Sequence, residues 1–240
     1  QLGALISRSP DYWLGPDALS AFGERLPFLF KILDVRSMLS IQAHPTKAAA
    51  EAGFARENAL GIPLDAPHRN YKDDNHKPEI KAALSPYWIL HGFRRPADIA
   101  ALWAERPGLS ELYRQLPHGD LKAMYQALME MPQESVDRRL APLAQHLLPE
   151  LDNQRLYKDD PDYWAALAFG EYTRDGHYDR GIFSIYLLNL VRLNPGEAIF
   201  QAAGIPHAYL EGVNIELMAN SDTVFRGGLT PKHIDVGELM

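Results

Sequence analysis

The chain has 240 residues, 46% of them hydrophobic, with 31 acidic against 24 basic side chains and a formal charge of −7. That length can bury a full core, and with no domain-wide basic excess nucleic acid is not an expected partner. The absence of cysteine excludes disulfides, thiolate nucleophiles and cysteine-based zinc sites, so any metal must be held by nitrogen and oxygen ligands. The most apolar uncharged stretch, 182–191, is too short to span a bilayer, and the first residues lack the order of a signal peptide. No membrane contact and a cytoplasmic location are therefore expected. The chain opens on Gln1 rather than Met and ends straight after a dense polar segment, so it is expected to lack both natural ends.

In chain order, short β-branched or aromatic runs broken by Gly, Pro, Asn and Asp predict strands over 28–33, 38–43, 87–93, 183–193, 198–202 and 213–218. Between the second and third, Pro45-Thr46 reads as a strand stop and helix cap, with a short helix over 47–52 closing near Gly53. From 96 to 172 the period is helical. Leu121, Met124, Tyr125, Leu128 and Met129 form one apolar stripe, and Leu140, Leu143, Ala144, Leu147 and Leu148 form another. Pro107, Pro117, Pro132 and Pro161 punctuate the section, and Pro142 is expected to kink its own helix. The expected fold is mainly β with an α insertion: one β unit in two parts, 1–94 and 182–240, around a helical section at 95–181.

Three clusters carry chemistry. In Leu39-Ser-Ile-Gln-Ala-His-Pro45, a strand would put Ser40, Gln42 and His44 on one face, although polar residues on a half-exposed strand are common without any ligand. The run from Asn70 to Glu79 reads first as a solvated loop, but Pro78-Glu79 leads into Ile80, where a carboxylate can be aimed inward beside Lys77. The third is Ala203-Gly-Ile-Pro-His207, after which Glu216 stands alone in an apolar strand and needs a partner, with a metal, Arg226 or Lys232 as candidates. Gln42, His44, Glu79 and His207 make a donor set suited to zinc or another divalent first-row ion. The same set fits a closed structural site or a catalytic one.

The runs LSIQAHP, NYKDDNHKPE, GIPHAYLEG and IELMANSDTVFRGGLTPKHIDV, in that order around a helical insertion, resemble the type I phosphomannose isomerase family. The resemblance covers most of the chain and is weakest between about 95 and 181. It implies a cupin-like jelly-roll barrel interrupted by a small helical domain, with one zinc held by Gln42, His44, Glu79 and His207. It also implies an aldose–ketose isomerase that interconverts mannose 6-phosphate and fructose 6-phosphate through a zinc-stabilised enediolate. Arg226, Glu216 and Lys77 fall on catalytic positions and Ser40, Tyr209 and Lys232 on substrate-binding ones. Against the family, Asp74, Ala43 and Gly227 are departures expected to shift geometry little. A small-molecule sugar phosphate is the expected partner and a monomer the expected state. A metal-dependent cupin dioxygenase and an inactive sugar-phosphate-binding cupin are the rival readings.

Overall fold

A computed structural model of the chain describes residues 2–117 and 119–240. It starts with two helices that the strand signals left out, α1 (Leu2–Arg8) and α2 (Pro10–Phe22), the second broken in direction at Gly15. Then come β1 (Phe28–Val35), β2 (Gln42–Ala43), α3 (Lys47–Ala59), β3 (Glu79–Ala83) and β4 (Tyr87–Phe93). Six helices follow: α4 (Pro96–Ala104), α5 (Leu109–Gln115), α6 (Leu121–Met129), α7 (Gln133–Asp152), α8 (Pro161–Tyr172) and α9 (Gly181–Leu187). The chain closes with β5 (Leu188–Leu193), β6 (Ala198–Gln201), β7 (His207–Ala219), β8 (Phe225–Arg226) and α10 (Val236–Leu239). Helices occupy more of the chain than strands, so the expected mainly-β balance becomes a mixed one: an eight-stranded antiparallel sheet system with helices. No helix among the described residues is long and apolar enough to cross a membrane.

Strand β7 belongs to both halves of the sheet system. Its first residues pair with β4 and β2, with His207 opposite both His91 and Gln42, while residues 212–219 pair with β1 and residues 214–218 with β3. The change of partners falls around Gly212, whose φ of 116° suits glycine alone. A Cβ there would also lie 2.5 Å from the Pro86 carbonyl oxygen, so the close approach of the β3–β4 connection excludes any side chain.

Alternation along β1, β7, β3 and β6 separates two unlike faces. Lys31, Glu216 and Lys81 stand in register in one row of one face, and Met218, Glu79 and Gln201 stand in the next. The opposite face carries Phe30, Leu217, Ile80 and Phe200 in a single row, all solvent-exposed, with Phe28 and Ile32 beside it. This sheet therefore buries Glu79, Lys81 and Glu216, with Lys31 exposed at its edge strand, and displays its aromatic residues. The other half, β5-β4-β7-β2-β8, rests on the helices, and one continuous core runs from Leu90, Ala208 and Leu210 into Trp103, Leu140, Trp164 and Phe183.

Several local expectations change for identifiable reasons. The run 38–43 gives only the two-residue β2, because Leu39 and Ile41 hydrogen-bond to Tyr209 and Gly228 outside any continuous ladder. The first half of 183–193 is α9, whose residues are buried on all sides. A short apolar run of that kind does not distinguish a buried strand from a buried helix. β3 lies outside every expected strand, because its lysine and paired alanines mask the alternation. The two stripes of the helical section are buried except that Leu121 is half-buried and Leu148 is exposed, and α7 runs on through Pro142 and Pro149.

Helix α3 is capped as expected, with the Thr46 side chain accepting from the Ala49 amide at 3.2 Å, but it runs through Gly53 rather than stopping there. Glycine is required at that point by packing: a Cβ on residue 53 would sit 2.2 Å from the Tyr71 ring. Gly53→Ala gains about 1 kcal/mol of helix propensity, and overpacking against a buried ring costs about 1–3 kcal/mol. The net expectation is a loss of stability, read as a lowered urea midpoint at unchanged m-value. A midpoint that rises would show that Tyr71 moves aside freely.

Candidate metal centre

The chain brings three of the expected ligands together from three distant segments. His44 lies just past β2, Glu79 opens β3 and His207 opens β7, and all three are buried. Their ligand atoms lie within 4.8 Å of one another. His44 Nε2 is 3.2 Å from Glu79 Oε1, and His207 Nε2 is 3.5 Å from Glu79 Oε2. Gln42 is the direct cross-strand partner of His207, and its side-chain amide donates to Ser40 Oγ at 3.4 Å.

The tautomers follow from the backbone. His44 Nδ1 is 3.0 Å from the Thr223 carbonyl and His207 Nδ1 is 3.0 Å from the Ile205 carbonyl, so each ring places its N–H there and turns the lone pair of Nε2 inward. Both Nε2 atoms lack a hydrogen-bond partner. Two lone pairs and a carboxylate converging without a proton between them are an electrostatic conflict that a divalent cation resolves. Burial pushes the His207 imidazole down to about 3. Burial pushes the Glu79 carboxyl up, but the close His44 imidazole and the charge of Lys81 outweigh it and hold it well below the usual carboxylate range.

Behind Glu79 lies a second layer that the motifs did not mark. Lys81 is fully buried, with Nζ 2.6 Å from Glu79 Oε2 and 3.4 Å from Glu216 Oε1, and it also donates to Gln201 Oε1. The Tyr209 hydroxyl lies 2.6 Å from Glu216 Oε1 and 3.0 Å from Glu79 Oε2, while its ring stacks on His207. The partners of Glu216 are thus Lys81, Tyr209 and, at 3.8 Å, Lys31, rather than Arg226, Lys232 or a metal. The available signal was a lone charge in an apolar run: Lys31 and Lys81 met the same criterion as Glu216.

The remaining expected residues divide by position. Lys77 is nearly buried, with Nζ 3.5 Å from Glu79 Oε1. Arg226 pairs across strands with Gln42 and is half-buried, and its side chain makes no hydrogen bond or ion pair among the described residues. Lys232 is exposed between β8 and α10, and no contact joins its side chain to the ligand group. Gly227 is tighter than expected, since a Cβ there would lie 2.6 Å from the Tyr125 hydroxyl.

The run 70–79 is fastened rather than loosely solvated. Glu57 of α3 accepts the amides of Asn70 and Tyr71, and Asp73 accepts from Ser221 Oγ at 2.8 Å and the Asp222 amide at 2.7 Å. These bonds fix the segment that presents the Thr223 carbonyl to His44.

Such a group of donors on an antiparallel sheet defines a candidate metal-binding site. Residues 5–96 match the family model of the phosphomannose isomerase type I catalytic domain. The chain is 44% identical over 240 residues to the mannose-6-phosphate isomerase of Salmonella typhimurium, covering 98% of this chain and 58% of the relative. It is 45% identical over 231 residues to that of Escherichia coli, covering 95% and 56%. The crystal structure of the Salmonella typhimurium enzyme bound to fructose 6-phosphate and zinc superposes with a TM-score of 0.84 at 42% identity, covering 100% of this chain and 59% of that one. The resemblance drawn from the motifs is borne out: the chain is related to the type I phosphomannose isomerases and spans rather more than half the length of the relatives it matches.

A buried neutral imidazole makes the metal-free chain acid-sensitive. Below its ordinary value of 6.5 the unfolded chain takes up a proton that folded His207 refuses until about pH 3, so stability falls as pH drops through that window. Glu79 acts in the same direction lower down, its contribution being lost below the usual carboxylate range. In chelator, urea unfolding between pH 7 and 5 is expected to show a His207 contribution of up to about 1.4 kcal/mol per pH unit. The His207→Asn chain should lack that part of the slope. Parallel slopes in the two chains would mean that His207 titrates normally in the fold.

Proposed function

We propose that this chain carries the metal-dependent active site of an aldose–ketose isomerase acting on mannose 6-phosphate and fructose 6-phosphate. The observation that carries the reading is the meeting of the two unpartnered Nε2 atoms with Glu79. Zinc is the proposed ion, held by His44, Glu79, His207 and Gln42, all of them donors it accepts. Relatives with zinc and with fructose 6-phosphate bound support the choice of ion and substrate. The proposed architecture is a cupin-like jelly roll in two parts, 1–94 and 182–240, around the helical insertion 95–181. A monomer in the cytoplasm is the proposed working state.

Moving a proton between C1 and C2 of a sugar phosphate is slow because the carbon acid is weak. A bound divalent ion supplies Lewis acidity beside the carbonyl. The side chains supply the rest. Lys77 is the proposed proton carrier, because it approaches Glu79 Oε1 while Lys81 holds Oε2, and among the described residues Glu79 is its only ion-pair partner. Glu216 is less suited to proton transfer, being held by Tyr209, Lys81 and Lys31 behind the ligands. Arg226 brings an unpaired, half-buried guanidinium to face the phosphate or the developing charge. Ser40 steadies Gln42, Tyr209 steadies Glu216, and Lys232 attracts the phosphate from the surface.

Two measurements test this reading. Purified protein is expected to contain about one zinc per chain and the His207→Ala chain to lose most of it. Retention of zinc at the parent level in the variant would move the site elsewhere. In a coupled isomerase assay, Arg226→Ala is expected to lower turnover by about 10²-fold to 10³-fold with zinc content unchanged, the scale for losing one electrostatic stabiliser. Unphosphorylated mannose serves as control. Equal rates on mannose and its phosphate would overturn the substrate, and binding of the sugar phosphate without turnover would favour a binding protein.

A further inference from the structure

Lys81 is the most completely buried charge among the described residues and has no part in the chemistry proposed above. Its ammonium has three donors and meets three acceptors: Glu79 Oε2 at 2.6 Å, Gln201 Oε1, and Glu216 Oε1 at 3.4 Å. Its fourth neighbour is the face of the Tyr209 ring, 4.6 Å from Nζ. With its donors occupied and no solvent exposure, Lys81 cannot reach a substrate, and its influence passes through the groups it touches.

The two oxygens of Glu79 are divided between different neighbours. Oε2 faces Lys81, Tyr209 and, at 3.5 Å, His207 Nε2, while Oε1 faces His44 Nε2 at 3.2 Å and Lys77 at 3.5 Å. Glu79 and Lys81 are two apart on β3 and so share a face, and Gln201 and Glu216 stand opposite them on β6 and β7. The lysine is thus fixed by three strands, and the carboxylate is fixed by the lysine.

We propose that Lys81 is a positioning residue for the metal centre. It anchors Oε2 of Glu79, keeps Oε1 turned toward the ion, and compensates the second buried carboxylate, Glu216, so that the ligand group does not face two uncompensated negative charges. This rests on the metal-site reading of His44, Glu79 and His207 given above. A competing effect has the opposite sign: an ammonium close to a cation repels it, so removing the charge could tighten binding. Geometry decides for positioning, because Lys81 meets Glu79 directly at 2.6 Å and makes no hydrogen bond to either imidazole among the described residues.

The test measures zinc affinity by competition with a chromophoric chelator, and the visible absorption of the cobalt(II)-loaded protein, for the parent, Lys81→Met, Lys81→Gln and His207→Ala. Methionine removes both charge and donor, while glutamine keeps a donor. Loss of an outer residue that orients a ligand weakens metal binding by about 10-fold to 100-fold. Lys81→Met is expected in that range, with altered cobalt band intensity, and Lys81→Gln between it and the parent. Should the methionine chain fail to fold, the glutamine chain decides alone, and parent-like affinity and spectrum there would overturn the proposal. Equal or tighter binding by a folded Lys81→Met chain would overturn it as well and favour simple repulsion. If the parent itself binds no better than His207→Ala, the metal site fails rather than the role of Lys81, so the two failures are distinguishable.

Discussion

Everything at the centre depends on one strand serving two sets of partners. β7 reaches thirteen residues because it pairs first with β4 and β2 and then with β1 and β3. His207, Tyr209 and Glu216 are spaced along it, so the position of each follows from a ladder rather than from a loop. The change of partners needs a residue with positive φ and no side chain where the β3–β4 connection comes close, and Gly212 meets both demands. A flexible joint there would separate the histidine from the carboxylates.

The same strand explains how so much charge can be buried. Removing Glu79, Glu216 and Lys81 from water is expensive, and none would be stable alone. Cross-strand register places lysine, glutamate and lysine side by side and adds Gln201 and the Tyr209 hydroxyl to complete the hydrogen bonds. The arrangement is specific rather than strongly stabilising, since a well-packed apolar cluster would serve stability equally well. Its value lies in fixing where a carboxylate points.

How much of this could be read in advance depended on how local the signals were. His44, Glu79 and His207 sit in short runs with strong local punctuation, Pro45 after one, Pro78 and Pro206 before the others, and these drew attention to residues that do converge. The helical stripes of α6 and α7 were visible because 3.6-residue periodicity is a property of one segment. Lys81 offered only the signal of a lone charge and Gln201 none, because their importance arises from a register between β3 and β6 that no single segment encodes. Thr223 was missed for a related reason: it contributes a carbonyl, which every residue has, and only the fold brings it to His44 across 179 positions. The α9 helix was misread as strand because full burial erases the polar face that would have distinguished the two.

The wide separation of His44, Glu79 and His207 along the chain has a consequence for the unfolded state. An ion shared by the three would close two loops at once, the longer one enclosing the whole helical section. In the chain-entropy view of cross-links, restraint of the disordered ensemble grows with the length of loop closed. In a chain with no cysteine, an ion held by these three side chains would be a removable counterpart of a disulfide, tying the strands before the helical section to those after it.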